Sequence, residues 1–263
     1  MSKKIILTAI LMLATTTVLA TPFDGFYAGA DVGMSQAQFD KNQMVTLSAT
    51  VGSTPIFEIP ITNKKELSDN SFNGNIDIGF SKVFSQHFYL GLEANADFQN
   101  LQASNNPGLT EAVSSFQITS PTTVNLRNEF ALTLNPGFVF NKNTLLYGKI
   151  GPAWGRFSVD GSAQYNQNLG GLTASAVSSF EDDNFYDCGL RLGVGVEHYL
   201  TANLSLKLEY VNTNYGNIHS GSPATGIITT VPAGSGLEGT LSDSDKVSAR
   251  NNSILLGLNY RFG

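Results

Sequence analysis

The chain has 263 residues, 41% of them hydrophobic, with 26 Gly, a single Cys and a formal net charge of −6. The acidic balance argues against a nucleic-acid partner, and the lone Cys188 excludes an internal disulfide. Mean hydropathy is −0.03, and beyond residue 20 no apolar run is long enough to cross a bilayer as a helix.

The chain opens on Met1-Ser-Lys-Lys, followed by an apolar run from Ile5 to Ala14 and a Thr-rich stretch ending in Val18-Leu19-Ala20. A basic start, a short apolar core and small residues before a cut after Ala20 predict a secretory signal peptide over residues 1–20. Thr21 follows the cut, which disfavours lipoprotein processing. Removing two of the 15 basic residues leaves 13 against 21 acidic ones, a net charge of −8. Residues 21–263 carry no Pro/Ser linker and are expected to form one domain.

From there apolar residues recur at every second position, which predicts strands and excludes amphipathic helices. Gly25–Ser35 sets Phe26, Ala28, Ala30, Val32 and Met34 against Tyr27, Gly29, Asp31 and Gly33. Ser71–Lys82 opposes Phe72, Ile76, Ile78 and Phe80 to Asn73, Asn75, Asp77 and Ser81. Phe88–Phe98 alternates most regularly, with Glu93 and Asp97 on its polar face. Leu126–Phe140 places Phe130, Leu132, Leu134, Phe138 and Phe140 opposite Arg127, Glu129, Thr133 and Asn135.

In the fifth segment Leu146, Ile150, Pro152 and Trp154 oppose Tyr147 and Lys149, and Gly151-Pro152 is the expected site of a bulge. The sixth sets Tyr186, Cys188, Leu190, Leu192, Val194 and Val196 against Asp187, Arg191 and Glu197. The seventh alternates Leu204, Leu206, Leu208 and Tyr210 with Ser205, Lys207 and Glu209. In the eighth, Ile254, Leu256, Leu258, Tyr260 and Phe262 alternate with residues that include Asn259 and Arg261. A one-residue slip in any of them would turn polar groups into the apolar face, so facing is strongly specified.

The connections alternate in length. Val83–His87, Asn141–Thr144 and Leu200–Asn203 are short, whereas Gln36–Asn70, Gln99–Asn125, Asp160–Asp183 and Asn212–Asn252 are long. Short turns on one side and long loops on the other, with an even strand number, predict an all-β, eight-stranded antiparallel transmembrane β-barrel. Its short turns would face the periplasm and its four long loops the cell exterior. Aromatic residues at both strand ends (Phe80, Phe88 and Phe138 near the turns; Phe98, Trp154 and Tyr210 near the loops) fit two membrane interfaces. A protease added to intact cells is expected to cut within Asn212–Asn252 and to spare Val83–His87; cutting at the short turns of unpermeabilised cells would overturn this topology.

These features together resemble the eight-stranded outer-membrane barrel superfamily of OmpA-type membrane domains and opacity-like surface antigens. The resemblance covers the whole mature chain and rests on architecture and on the last strand. It implies residence in the outer membrane of a Gram-negative bacterium, contact with outer-membrane lipids, and insertion by the barrel-insertion machinery. Tyr260 and Phe262 would be the aromatic insertion signal, with Gly263 as one extra residue. It also implies a non-enzymatic surface role, envelope-structural or adhesin-like, with the loops meeting a host or other surface receptor.

The inward face is expected to hold a lumen network of Asp31, Asp77, Glu93, Arg127, Glu129, Lys149, Arg191, Glu197, Lys207, Glu209 and Arg261, joined by Asp97. Two functions are compatible with it: a packed polar core that braces the barrel, or a narrow pore. Eight strands leave an interior just wide enough for side chains to fill, which favours the packed core. A lipid-modifying enzyme is the third alternative, since His219 precedes Ser220 and Ser222 near the outer face, but His87 and His198 lie at the other end. Glu181-Asp182-Asp183 and Asp243-Ser-Asp245 carry oxygen ligands without a calcium-loop spacing. No catalytic residue, metal or cofactor is expected.

Overall fold

The structure, a computed structural model, describes residues 22–51, 54–85, 87–105, 116–119, 121–169, 172–220, 224–228 and 237–262. The signal peptide expected over residues 1–20 lies outside them. Eleven strands make one sheet: β1 (Gly25–Val51), β2 (Thr54–Phe84), β3 (Phe88–Phe98), β4 (Leu101–Asn105), β5 (Phe116–Thr119), β6 (Thr122–Asn141), β7 (Thr144–Leu169), β8 (Leu172–Tyr199), β9 (Leu204–Ser220), β10 (Ala224–Ile228) and β11 (Leu237–Phe262). Eight of them close a ring in the order β1, β2, β3, β6, β7, β8, β9, β11, every pair antiparallel, with β11 returning to β1. Closure leaves no edge strand in the ring itself, the condition for a sheet to sit in hydrocarbon, and the short β4, β5 and β10 each pair with one ring strand.

The period of two becomes an inside and an outside. Across β2, β1 and β11 the rows Phe80–Phe26–Phe262 to Phe72–Met34–Ile254 are registered partners, and their side chains are exposed apart from the half-buried Phe80 and Ala28. Leu132, Leu134, Leu192, Val194 and Leu208 continue the exposed belt around the ring. Nothing in water stabilises so many exposed apolar residues; against lipid tails they belong.

Three of the four connections expected as loops are largely strand. β1 and β2 pair from Gly25–Ser81 to Val51–Thr54 with one register shift between Ala49 and Thr50, and β7 and β8 pair as far as Leu169–Leu172. β9 runs on to Ser220 and β11 starts at Leu237. The fourth, residues 99–125, carries the short strands β4 and β5 before β6 begins, and the short β10 lies between β9 and β11. The physical reason is that a ladder in water needs backbone pairing and no apolar face. A hydrophobic alternation therefore marks where strands cross lipid and not where they end.

The bulge expected at Gly151-Pro152 is absent: Ile150, Gly151, Pro152 and Ala153 pair in unbroken register with Leu192, Arg191, Leu190 and Gly189. The irregularities lie elsewhere, between Leu126 and Glu129 and between Val139 and Asn141 on β6, and between Phe157 and Val159 on β7. Pro152 keeps its place because its side chain is outward and exposed, and its neighbour Gly151 carries no Cβ to collide with Leu132 O, which would be 1.9 Å away.

Candidate functional site: a charged lumen closed by two apolar plugs

Inward positions collect the charges. Among the described residues, seven carboxylates (Asp31, Asp77, Glu93, Asp97, Glu129, Glu197, Glu209) and five cations (Lys41, Lys149, Arg191, Lys207, Arg261) are buried. Ten of the eleven residues expected in the lumen are there, each 3% exposed or less. Arg127 is the exception, and its placement is a correction. The β6 irregularity puts Arg127 and Asn128 opposite the single residue Arg156, so that Leu126 and Glu129 both point inward and Arg127 is exposed. An extra residue reverses the alternation, which no reading of parity alone can anticipate.

The network has three tiers. Nearest the turns, Arg261 donates to Ser81 Oγ at 2.5 Å and to Phe23 O at 2.8 Å, and lies 3.3 Å from Glu197. Its guanidinium also sits 4.7 Å from the centre of the Tyr27 ring. In the middle, Lys149 Nζ is 2.6 Å from Glu93 and 2.8 Å from Glu209. Lys207 Nζ is 2.5 Å from Asp77 and 3.1 Å from Asp31, the latter an ion pair without hydrogen-bond alignment. Tyr27 donates to Glu93 at 2.8 Å and Tyr147 to Glu209 at 2.5 Å. Nearer the loops, Arg191 bridges Asp97 at 2.5 Å and Glu129, while Thr213 donates to Glu129 at 2.8 Å and Asn75 to Asp97 at 2.9 Å. Every buried carboxylate among the described residues thus meets a cation. Neutral donors add further hydrogen bonds to Glu93, Glu209, Glu129 and Asp97, whereas both Asp31 oxygens and Asp77 Oδ1 are buried without a hydrogen-bond donor among the described residues.

Two apolar clusters close this network above and below. At the turn end Phe23, Val83, Tyr89, Val139, Leu145, Tyr147 and Tyr199 pack together. Toward the loops Phe39, Leu67, Leu101, Val124, Leu126, Phe157, Val159, Tyr215, Ile218 and Val247 form a second core with three buried alanines. The tyrosines fit because facing residues are small: a Cβ on Gly195 would stand 2.5 Å from the Tyr147 ring. The sequence reading missed both plugs. The available signal was apolar residues in lumen phase: Tyr89, Leu145 and Phe157 stand in it openly, whereas Leu126 is displaced from the simple alternation by the β6 irregularity.

The other candidates are not brought together. His87 is exposed in its turn, stacked on Phe138 at 5.4 Å, and the exposed His198 is 2.9 Å from Thr144 Oγ1. The His219 backbone pairs with Val247 at the opposite end; the side chains of His219 and Ser220, and Ser222 altogether, lie outside the described residues. So do the side chains of Asp182, Asp183, Asp243 and Asp245, whereas Glu181 is exposed on β8. Among the described residues no group of three or more His, Cys, Asp or Glu is placed to hold a metal. Tyr260 and Phe262 are both exposed at the turn end of β11, their rings edge-on at 5.2 Å. Cys188 is exposed opposite Trp154.

A family model described as an outer membrane protein beta-barrel domain matches residues 5–262. Similar solved structures include the attachment invasion locus protein Ail of Yersinia pestis, at 13% identity over 91% of this chain and 99% of that one, with a TM-score of 0.32. Neisserial surface protein A is 15% identical over 91% and 98%, with a TM-score of 0.36. OprG of Pseudomonas aeruginosa is 9% identical over 91% and 97%, with a TM-score of 0.38. No curated protein matches the chain. With a closed ring of eight antiparallel strands, a lipid-facing belt outside and a charged interior, the chain belongs to the outer membrane protein β-barrel domain family and resides in the outer membrane of a Gram-negative bacterium.

Proposed function

We propose that the chain is a non-enzymatic surface protein of the outer membrane, envelope-structural or adhesin-like, that works through its extracellular hairpins. One observation carries this: the interior is filled and the material is spent outside. β1 and β2 are 27 and 31 residues long, whereas a tilted membrane strand needs only about 9–11. The apolar row Met34–Phe72–Ile254 ends the lipid belt, and beyond it β1 continues through Val51. The remaining strand rises some tens of ångströms into water at about 3.3 Å per residue. Paired backbone that far from the bilayer serves display, because the belt alone holds a barrel in lipid.

Ion passage would need a wet path, and both plugs lie across it. The protein reconstituted in a planar bilayer is therefore expected to give no stepwise conductance, while cells lacking residues 40–66 and 217–248 keep the barrel and lose attachment to host-cell or matrix surfaces. Steady unitary conductance from the intact barrel would replace this function with a narrow pore. Undiminished attachment, with normal conductance silence, would leave the envelope-structural role alone.

A further inference from the structure

The reversal of alternation on β6 has a product on the outside. Arg127 and Arg156 face each other across the β6–β7 pair, where two residues of β6 oppose one of β7. Arg127 is exposed and Arg156 half-buried. Neither has a hydrogen bond or ion pair with a described residue, and the Arg156 Nε is enclosed without any acceptor. Like charges directly opposed on a sheet destabilise it, and a bulge disrupts the ladder locally. The nearest described outward carboxylate on the same strand, Asp160, is four residues on, about 13 Å at the strand rise.

Their height on the barrel identifies what they meet. Phe130 and Trp154 are registered partners, 42% and 39% exposed, and belong to the aromatic girdle at the loop end. Arg156 is two residues beyond Trp154 and pairs with Tyr186, another exposed aromatic. Two residues of a tilted strand rise no more than about 7 Å, which is the depth at which an outer leaflet carries its headgroups. Guanidinium forks suit phosphate oxygens because each offers parallel N–H donors in a fixed plane. We propose that Arg127 and Arg156 form a two-guanidinium site on the outward face of the β6–β7 bulge that grips a phosphate borne by a glycolipid of the outer leaflet.

The site relieves the repulsion between the two cations and supplies the acceptor that Arg156 Nε lacks. It is separate from the hairpin function, since both side chains point to lipid and not to the hairpin tips.

The test uses the full-length folded protein in detergent micelles, titrated with lipid A, with lipid A stripped of its phosphates, and with inorganic phosphate, bound lipid being counted by native mass spectrometry. The wild type is expected to bind lipid A saturably and the stripped lipid about tenfold more weakly or worse, as loss of a charge-assisted hydrogen bond implies. Arg127→Gln with Arg156→Gln should bring lipid A binding down to the stripped-lipid level. Arg127→Lys with Arg156→Lys keeps the charge without the fork and should fall several-fold; this pair decides the matter if the Gln pair fails to fold. Arg250→Gln, on the far side of the ring between Gln38 and Asn214, should bind as wild type. Equal affinity for the stripped lipid, undiminished binding by the folded Gln or Lys pair, or an equal loss in Arg250→Gln overturns the site. Inorganic phosphate that displaces lipid A at matching concentrations overturns the assignment to a lipid.

Discussion

Reversing Arg191 to Glu is expected to destabilise the barrel by about 3–5 kcal/mol, the usual consequence of removing one partner from a buried ion pair. Arg191 stands between Asp97 and Glu129, both buried, and its removal leaves them with only neutral donors such as Asn75 and Thr213. A glutamate there adds a third carboxylate to the same tier. The apolar core with Phe39, Leu126 and Phe157 lies toward the loops and shields the tier from water on that side. The measurement is urea unfolding of the barrel refolded into vesicles, read by the mobility difference between folded and heated forms on a gel. The midpoint should drop well below that of the wild type. A midpoint equal to the wild type would mean that water reaches these charges, which would sink the packed lumen and revive the narrow pore.

Replacing Phe262 by Asp should have its large effect in cells and little in the test tube. Phe262 is outward at the turn end of the closing strand, registered with Phe26 and touching the Tyr260 ring. Near an interface a lipid-facing charge costs only about 0–1 kcal/mol, and the ladder between β1 and β11 from Tyr27–Arg261 outward does not depend on that ring. Refolding into detergent is therefore expected to be near normal. If Tyr260 and Phe262 are what the barrel-insertion machinery recognises, the folded outer-membrane fraction should fall several-fold and the periplasmic or degraded fraction should rise. Normal assembly in cells would show that Phe262, followed by Gly263, is not the residue recognised. A matching loss of refolding in detergent would place the defect in the β1–β11 seam instead.

Alternation and connection lengths alone reveal the class of fold, the number of ring strands and, except beside the β6 bulge, which side of each membrane strand meets lipid. Hydrocarbon accepts only apolar side chains over a fixed thickness, so Phe88–Phe98 or Ser253–Phe262 reads as a membrane strand without any knowledge of its neighbours. The sequence also placed Glu93, Lys149, Arg191 and Lys207 on one face, since the polar phase has nowhere else to point. What it could not determine was anything that depends on which strands lie opposite across the barrel. Lys149 meets Glu93 and Glu209, and Arg191 meets Asp97 and Glu129, only because closure brings β7 and β8 against residues from β3, β6 and β9. The same holds for the plugs, whose members come from strands distant in the chain. Arg127 shows the limit most directly: a single extra residue at the β6 bulge moves it from lumen to lipid. That residue is invisible to a period-two pattern because the bulge is defined by the partner strand. The length of the hairpins was equally out of reach, since above the bilayer water no longer enforces an apolar face and backbone pairing alone extends the strands.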